Sequence, residues 1–569
     1  MHPKISRRDF LRVAGVSALG LTTPYVLLPH RVALADWLGV LNPNQTSADV
    51  FGLSVASGDP TASGVILWTR VNAEQWQENK SLLFEVALDE AFSQVVKQGT
   101  IPGAAFGPDR DYTVKVDLDG RLEADTTYYY RFGYRGTISR IGRCRTLPAP
   151  NADLASLTLG LVNCQHFGQG YYPAYYHLAQ LPIDFVLHLG DYVYETDTLD
   201  SPYPDRQFSL PSGNPVVYTL EDYRFLYRTY HSDPYIQLAH ERFTFINIWD
   251  DHETANDCYW DYATDSAGIP DHPLAEAAPE VRNQLKLAAM QAWSEYIPAR
   301  PAVNPDATHP HDYLTIYRSF RFGNLVDLFM TDERTYRTPP PCGLNFIGQR
   351  YATLGCEAQT DPANTMLGFT QRDQLLNGLL GSNALWKAWG NEVFLGPLKA
   401  KRPAGSLDKG LHYTLDAWSG YEYERAAIAS ALKQANLKNL IVLTGDLHAF
   451  LGAYFKLDYT TDPFNTNPAN LVGVEFMTPS ISSSTWNDEL EDIIGIRVPG
   501  SVVRLMNPHI RFFDGDLAGY TTVTFSPEDC IYAAYSVDRT QPDPLQTAPA
   551  LIKRLRVPLN QVRIQNITP

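Results

Sequence analysis

The stretch Phe245-Ile246-Asn247-Ile248-Trp249 runs directly into Asp250-Asp251-His252-Glu253, an apolar segment of strand length that ends in three carboxylates and an imidazole. A short continuous run rich in β-branched and aromatic residues reads as a strand buried on both faces, the kind found in sheets flanked by helices. Carboxylates at the mouth of such a strand must protonate, pair with basic groups or bind cations, because burying them bare is costly. With Arg282 set aside as helical, only Arg242 and Lys286 lie nearby in sequence, so bound metal is the expected neutraliser.

The same grammar repeats outward along the chain. The apolar run 157–162 leads into Asn163-Cys164-Gln165-His166, the run 185–189 into Gly190-Asp191-Tyr192-Val193-Tyr194-Glu195, and the run 440–443 into Gly445-Asp446-Leu447-His448. Helical patterns over 171–180, 220–239, 279–296, 371–377 and 423–435, with further strands at 314–320 and 326–331, give an α/β texture. In open α/β sheets, sites gather beyond the C-terminal ends of strands, and four chemically loaded segments sit at such ends.

Each loaded residue has a bland reading beside the chemical one. Cys164 is either a small apolar filler or a thiolate that needs a cation among carboxylates, which makes it a metal ligand rather than a nucleophile. Asp191 is a turn residue after Gly190, or it bridges two ions with Tyr194 pointing back to the same place. Asn256-Asp257 continues the opening cluster with oxygens suited to a hard cation such as calcium or magnesium. His252 either protonates a leaving oxygen or takes metal. If the strand continues, Asp250 and Asp251 point to opposite faces, so only one of them ligates, and the sequence leaves open which. Asp446 and His448 share one face of an extended segment. Arg334, in Asp332-Glu333-Arg334, offers a bidentate phosphate contact or an ordinary salt bridge to Asp332 or another carboxylate.

The two ends and the composition bound the rest. Ser6-Arg7-Arg8-Asp9-Phe10-Leu11, an apolar region from Val13 to Leu28 and Ala33-Leu34-Ala35 read as a twin-arginine leader over 1–35, with the export machinery as a partner and a periplasmic or extracellular destination. Losing Lys4, Arg7, Arg8, Arg12 and Arg31 against Asp9 removes four net positive charges, which takes the formal −17 to about −21. Nucleic acid and anionic membrane are therefore excluded as general partners, and no later segment reads as a stable membrane span. An anionic substrate would have to be attracted by bound cations rather than by the overall field. Residues 48–148 carry short strands with turn signals, as in an immunoglobulin-like or fibronectin-III-like sandwich. A catalytic region over 151–540 and a C-terminal extension over 541–569 follow. Cys342 and Cys356, both in a Pro/Gly-rich loop, are the expected disulfide among six cysteines. The segments 198–217 and 339–361 read as loops that shape an entrance. The oligomeric state is not legible.

These motifs resemble the alkaline phosphatase D family, a branch of the metallophosphoesterases. The likeness is carried by 51–70, 163–176, 188–195, 249–256, 332–337 and Gly445-Asp446-Leu447-His448, with Asp416-Ala417-Trp418-Ser419-Gly420-Tyr421 and Asn507-Pro508-His509-Ile510 also similar. The resemblance implies an αββα sandwich behind a fibronectin-like domain and a centre with one ferric iron and one or two calcium ions, another divalent metal being possible. It matches Cys164, Asp191 and Tyr194 to the iron side, and Asp250, Asn256, Asp257, Asp446, His448 and His509 to the remaining metal set. Where the family shows paired asparagines this chain has Asn256-Asp257, which bears on the second metal.

The implied activity is phosphoester hydrolysis by a metal-activated water or oxide, releasing phosphate from small-molecule or polymeric monoesters, diesters or both. Two rival readings are an exported, calcium-stabilised binding or scaffold protein without turnover, and a strict phosphodiesterase.

Overall fold

A computed structural model describes residues 45–343, 353–401 and 410–569. The expected leader over 1–35 lies outside the described residues.

Two sheets dominate a mixed α/β fold. The larger has ten strands, ordered from one edge Gln565–Asn566, Ala550–Pro558, Asp529–Ser536, Gly519–Phe525, Leu157–Val162, Phe185–Leu189, Thr244–Ile248, Val55–Thr61, Gly64–Arg70 and Thr113–Asp117. The second has seven, ordered Arg318–Phe322, Val326–Met330, Trp386–Asn391, Leu440–Thr444, Leu471–Met477, Phe450–Lys456 and Ile510–Asp514. One hydrophobic core holds Leu161, Phe185 and Tyr532 of the first sheet together with Phe322, Ile441 and Phe476 of the second. Ring pairs cross between the sheets, Phe476 on Tyr532 at 4.7 Å and Phe185 on Phe322 at 5.4 Å. Leu375 and Leu379 of the helix Phe369–Gly381 and Ile428, Ala429 and Leu432 of the helix Glu422–Gln434 join a second core with Trp389 and Val442 of the seven-stranded sheet.

The three strands that carry the loaded ends are neighbours and parallel, with Leu161 beside Leu187, and Leu189 beside Ile248. Their C-terminal ends therefore emerge on one edge. The strand at 157–162 and that at 185–189 fall where the apolar runs predict. The helix expected over 220–239 is two, Leu220–His231 and Pro234–Arg242. Pro234 cannot continue the first helix, and Asp233 caps the second by accepting the Tyr235 N–H at 2.8 Å. The strand expected over 314–320 lies at Arg318–Phe322.

The N-terminal region is not hydrogen-bonded as a separate unit. Val55–Thr61 pairs in parallel with Thr244–Ile248, and Gly64–Arg70 and Thr113–Asp117 extend the same sheet. A second layer built on Leu82–Ala87, Val95–Ile101, Thr127–Tyr134 and Gly142–Arg145 packs on the outer face of these strands, completing a β-sandwich. This explains why Val65-Ile66-Leu67-Trp68 is apolar without alternation. Val65 and Leu67 face the sandwich core and Trp68 faces the central one. At the other end, 541–569 is no peripheral extension, because Ala550–Pro558 and Gln565–Asn566 form the far edge of the ten-stranded sheet. Cys342 and Cys356 form the expected disulfide, with Cα atoms 5.8 Å apart.

Candidate metal centre

The loops beyond the parallel strands of both sheets meet, and the meeting is close. Gly190 turns at φ +105°, where a Cβ would lie 2.5 Å from Asp250 Cβ, so no other residue fits without displacing the acidic loop. A Cβ on Gly445 would meet the Asn163 side chain at 2.8 Å. Cys164, Asp191, Asp257, Asp446 and His448 all take left-handed backbone conformations, with φ between 50° and 67°. Such a concentration outside glycine is a mark of functional loops whose strain the surrounding packing holds in place.

Asp191 is the hub. Its Oδ2 lies 3.3 Å from Cys164 Sγ and accepts the Tyr194 hydroxyl at 3.1 Å, while Tyr194 Oη lies 3.3 Å from His448 Nε2. Its Oδ1 faces the other way and accepts the His252 backbone N–H at 3.4 Å. Two groups have their ligand atoms close enough to share an ion, Cys164–Asp191–His448 and Asp191–Asp251–His252, with Asp191 common to both. His448 thus joins the Cys164 side, not the side to which the family pattern assigns it.

Burial first, then the neighbouring carboxylates, pushes the Cys164 thiol and the Tyr194 phenol well above their ordinary pKa. Burial likewise raises Asp191 and Asp446 well above the carboxylate range. Burial also raises Asp250, to about 6, against the pull of Arg334. Side chains that resist ionisation until a cation arrives are suited to holding one. Asp250 Oδ2 is buried without a hydrogen-bond partner, an orphan oxygen of the kind a cation satisfies. The donor set of thiol, phenol, imidazole and carboxylates therefore fits metal binding.

The other half of the site is arranged differently from the sequence expectation. The strand stops at Ile248, so Asp250 and Asp251 lie in a turn rather than on opposite strand faces, and both reach Arg334. Arg334 has a wholly buried side chain and pairs with Asp250, with Asp416 Oδ2 at 2.6 Å and with Asp446 Oδ1 at 3.0 Å. Its guanidinium is committed to carboxylates, so it is a counter-charge in this arrangement and not an open phosphate clamp. Asp332, the expected partner, instead accepts the Arg334 and Thr335 backbone N–H groups. Arg337 adds a second pair to Asp416 at 2.7 Å. Of the two basic residues near the run in sequence, Arg242 is exposed, and Lys286 bonds Thr254 and sits over the Trp249 ring.

Glu253, the third carboxylate of the opening run, is a brace. It accepts backbone N–H groups from Asp191, Tyr192 and Asp250 at 2.6–3.1 Å, tying two ligand loops together. Asp251 works similarly, accepting the His252 and Asp257 N–H groups. His252 pairs through Nδ1 with Glu195 at 2.6 Å. Burial opposes its charged form, but Glu195, Asp251 and Asp191 outweigh that and raise its pKa well above normal. A cavity of about 80 Å³ is lined by Asp191, Asp251, His252, Asp257, Asp446 and His448, and by Asn256. The Asn256 amide itself donates to Asp271 at 3.1 Å.

His509 is not part of this group. It precedes Ile510–Asp514 at the end of that strand remote from the site, four residues from where Leu451 and Phe513 pair beside the Asp446 edge. Its ring packs on Tyr459 at 4.8 Å and Phe394 at 6.3 Å, and burial together with Lys456, Arg425 and Lys399 pushes its pKa well down. Glu195, Asp416, Ser483 and Glu489 were not singled out from sequence. Ser483 donates to Tyr194 Oη at 2.8 Å, and Glu489 pairs with His448 Nδ1 at 2.8 Å. Asp416 and Glu195 each had a signal, their places in the segments 416–421 and 188–195.

Residues 159–533 match the family model for PhoD-like phosphatase, and residues 38–148 match that for the PhoD-like phosphatase N-terminal domain. The chain is 32% identical over 536 residues to alkaline phosphatase D of Bacillus subtilis (strain 168), covering 92% of this chain and 82% of that protein. A solved structure described as "Structure of PhoD" aligns with a TM-score of 0.76 at 29% identity, covering 92% of this chain and 93% of that one. The family match spans more than half of the chain and includes every loop of the site described above. Phosphoric ester hydrolysis follows from it: this chain belongs to the PhoD-like phosphatase family.

Proposed function

We propose that the hydrolase works as a two-sided metal centre on an αββα metallophosphoesterase sandwich, exported by the twin-arginine route to the periplasm or beyond. On this reading Cys164, Asp191 and Tyr194, with His448, hold one ferric iron. Asp250, Asp257 and Asp446, with Asn256 at the rim, hold one or two calcium ions or another divalent metal. Of the adjacent pair, Asp250 is the better ligand, since it keeps an orphan oxygen while both Asp251 oxygens accept backbone N–H groups. When bound, such cations supply Lewis acidity toward the phosphoryl oxygens of a monoester or diester.

The chain's own part is positional. Asp191 presents one oxygen to each side, which is the single observation that carries the two-sided reading. His252, held by Glu195, keeps a proton at the rim of the cavity where a leaving oxygen departs. Arg334 and Arg337 fix Asp416, Asp446 and Asp250 so that the cavity stays open between them. The test is hydrolysis of a chromogenic phosphomonoester and phosphodiester with and without chelator, alongside metal analysis and the visible spectrum. Full activity in a colourless, iron-free preparation would remove the iron assignment.

A further inference from the structure

A larger cavity, of about 410 Å³, lies beside the metal centre and plays no part in the chemistry above. Its walls continue the ligand loops. His166 follows Cys164 by two residues and Thr196 follows Tyr194 by two, and both line it together with Asp197, Asp200 and Ser201. The His166 ring packs on that of Tyr194 at 4.6 Å, so one imidazole separates the cavity from a centre ligand. His166 is about nine-tenths buried, and its Nδ1 accepts the Gly168 N–H at 3.1 Å. A neutral ring that accepts at Nδ1 carries its proton on Nε2, a donor that makes no hydrogen bond to another described residue.

The lining also carries charge with no arginine or lysine among its residues. Asp197 is half-buried and Asp200 exposed, and neither carboxylate pairs with a basic side chain among the described residues. The chain is already strongly acidic, with a formal charge of −17. A second anionic group in this cavity would meet repulsion, whereas a cation would be attracted by both carboxylates. Pro202, Pro215 and Val216 supply apolar surface for a short carbon frame.

We propose that this cavity is the subsite for the alcohol portion of the ester, and that it selects alcohols bearing an ammonium group, with Asp197 and Asp200 as specificity-determining residues. The proposal rests on the hydrolase reading of the adjoining centre.

The test compares choline phosphate with 3,3-dimethylbutyl phosphate, which has the same shape but a carbon in place of the charged nitrogen. In the metal-loaded full chain, kcat/KM favours choline phosphate by about tenfold, the scale of a partly shielded charge pair of 1.4 kcal/mol. In Asp197→Asn/Asp200→Asn the ratio falls toward one. Because the ratio is taken within each protein, a general change in activity cancels. Calorimetry with free choline gives a readout that needs no turnover, and binding weakens by a similar factor in the double variant. A ratio near one in the unaltered protein, or a preference that survives the double variant, overturns the subsite while leaving hydrolysis intact. Failure to hydrolyse either ester or p-nitrophenyl phosphate, with choline still bound, would instead count against the hydrolase reading.

Discussion

The two sides of Asp191 solve the same electrostatic problem in opposite ways. On one side Cys164, Tyr194 and His448 approach Asp191 with no arginine or lysine among them. On the other, Asp250, Asp416 and Asp446 are gathered around Arg334, and Asp416 is held again by Arg337. The first side is chemically incomplete without a metal, whereas the second carries its own positive charge and can assemble before one arrives. A site of this kind lets an acidic cluster fold in advance of loading, with the arginines limiting the cost of bringing the carboxylates together.

Asp191→Asn strikes the element common to both sides, so it has the largest expected effect. Replacing the shared carboxylate weakens both halves at once, and kcat/KM falls on the order of 10³-fold, the upper range for removing one charge-stabilising group. Metal analysis then finds both sides depleted. Depletion of one side alone would break the picture of a shared hub. Arg334→Met tests the self-compensated half. In the chelated protein, urea unfolding at neutral pH shows a loss of about 3–5 kcal/mol, because several buried carboxylates lose their common partner. Added metal recovers much of that loss, since cations replace the missing charge. An unchanged stability in the chelated protein would mean that the arginine does not hold this half together.

Cys164→Ser tests the half without a cation. On the iron reading proposed above, metal binding on this side weakens roughly a hundredfold and any visible absorption from a Tyr194 phenolate is lost with it, while binding on the arginine side changes little. Stability of the chelated protein stays nearly the same, in contrast with Arg334→Met. If both variants behave alike in chelator, the two halves do not differ in the way the ion pairs indicate.

What the sequence made legible follows from the range of each signal. The apolar runs at 157–162, 185–189 and 244–248 end in their functional residues within two or three positions, so strand and site were readable together. The counter-charge was not, because Arg334 lies more than eighty residues from Asp250, and a search for basic groups near the acidic run could only find Arg242 and Lys286. Glu253 read only as one more carboxylate of the acidic run, and its use as an acceptor for three backbone N–H groups depends on two loops meeting. His509 shows the reverse error. Its motif was familiar, but strand register carries it to the wrong end of the sheet. The shared sheet of the N-terminal region was encoded in the unalternating Val65-Ile66-Leu67-Trp68, a pattern that a half-exposed sandwich strand does not need.

The smallest effect sharpens the comparison at the boundary between the halves, where His252 lies over the Tyr194 ring at 4.1 Å yet answers to carboxylates. Its pKa is raised against burial by Glu195, Asp251 and Asp191 together, and Glu195 is the only one of these outside both metal groups. Glu195→Gln removes one negative charge and leaves one acceptor oxygen where the carboxylate used two, Oε2 for His252 Nδ1 and Oε1 for the Asn256 N–H. The imidazolium loses stabilisation, so the pKa of His252 falls, and the proton is lost at a lower pH than in the unaltered chain. NMR of the chelated protein, in which no cation competes with the imidazolium, reads that shift directly. In the loaded enzyme kcat falls by about tenfold, as for partners that orient a site group without touching substrate. An unmoved His252 titration would mean that Asp251 and Asp191 suffice to hold the proton, which would tie His252 to the metal groups rather than to the rim.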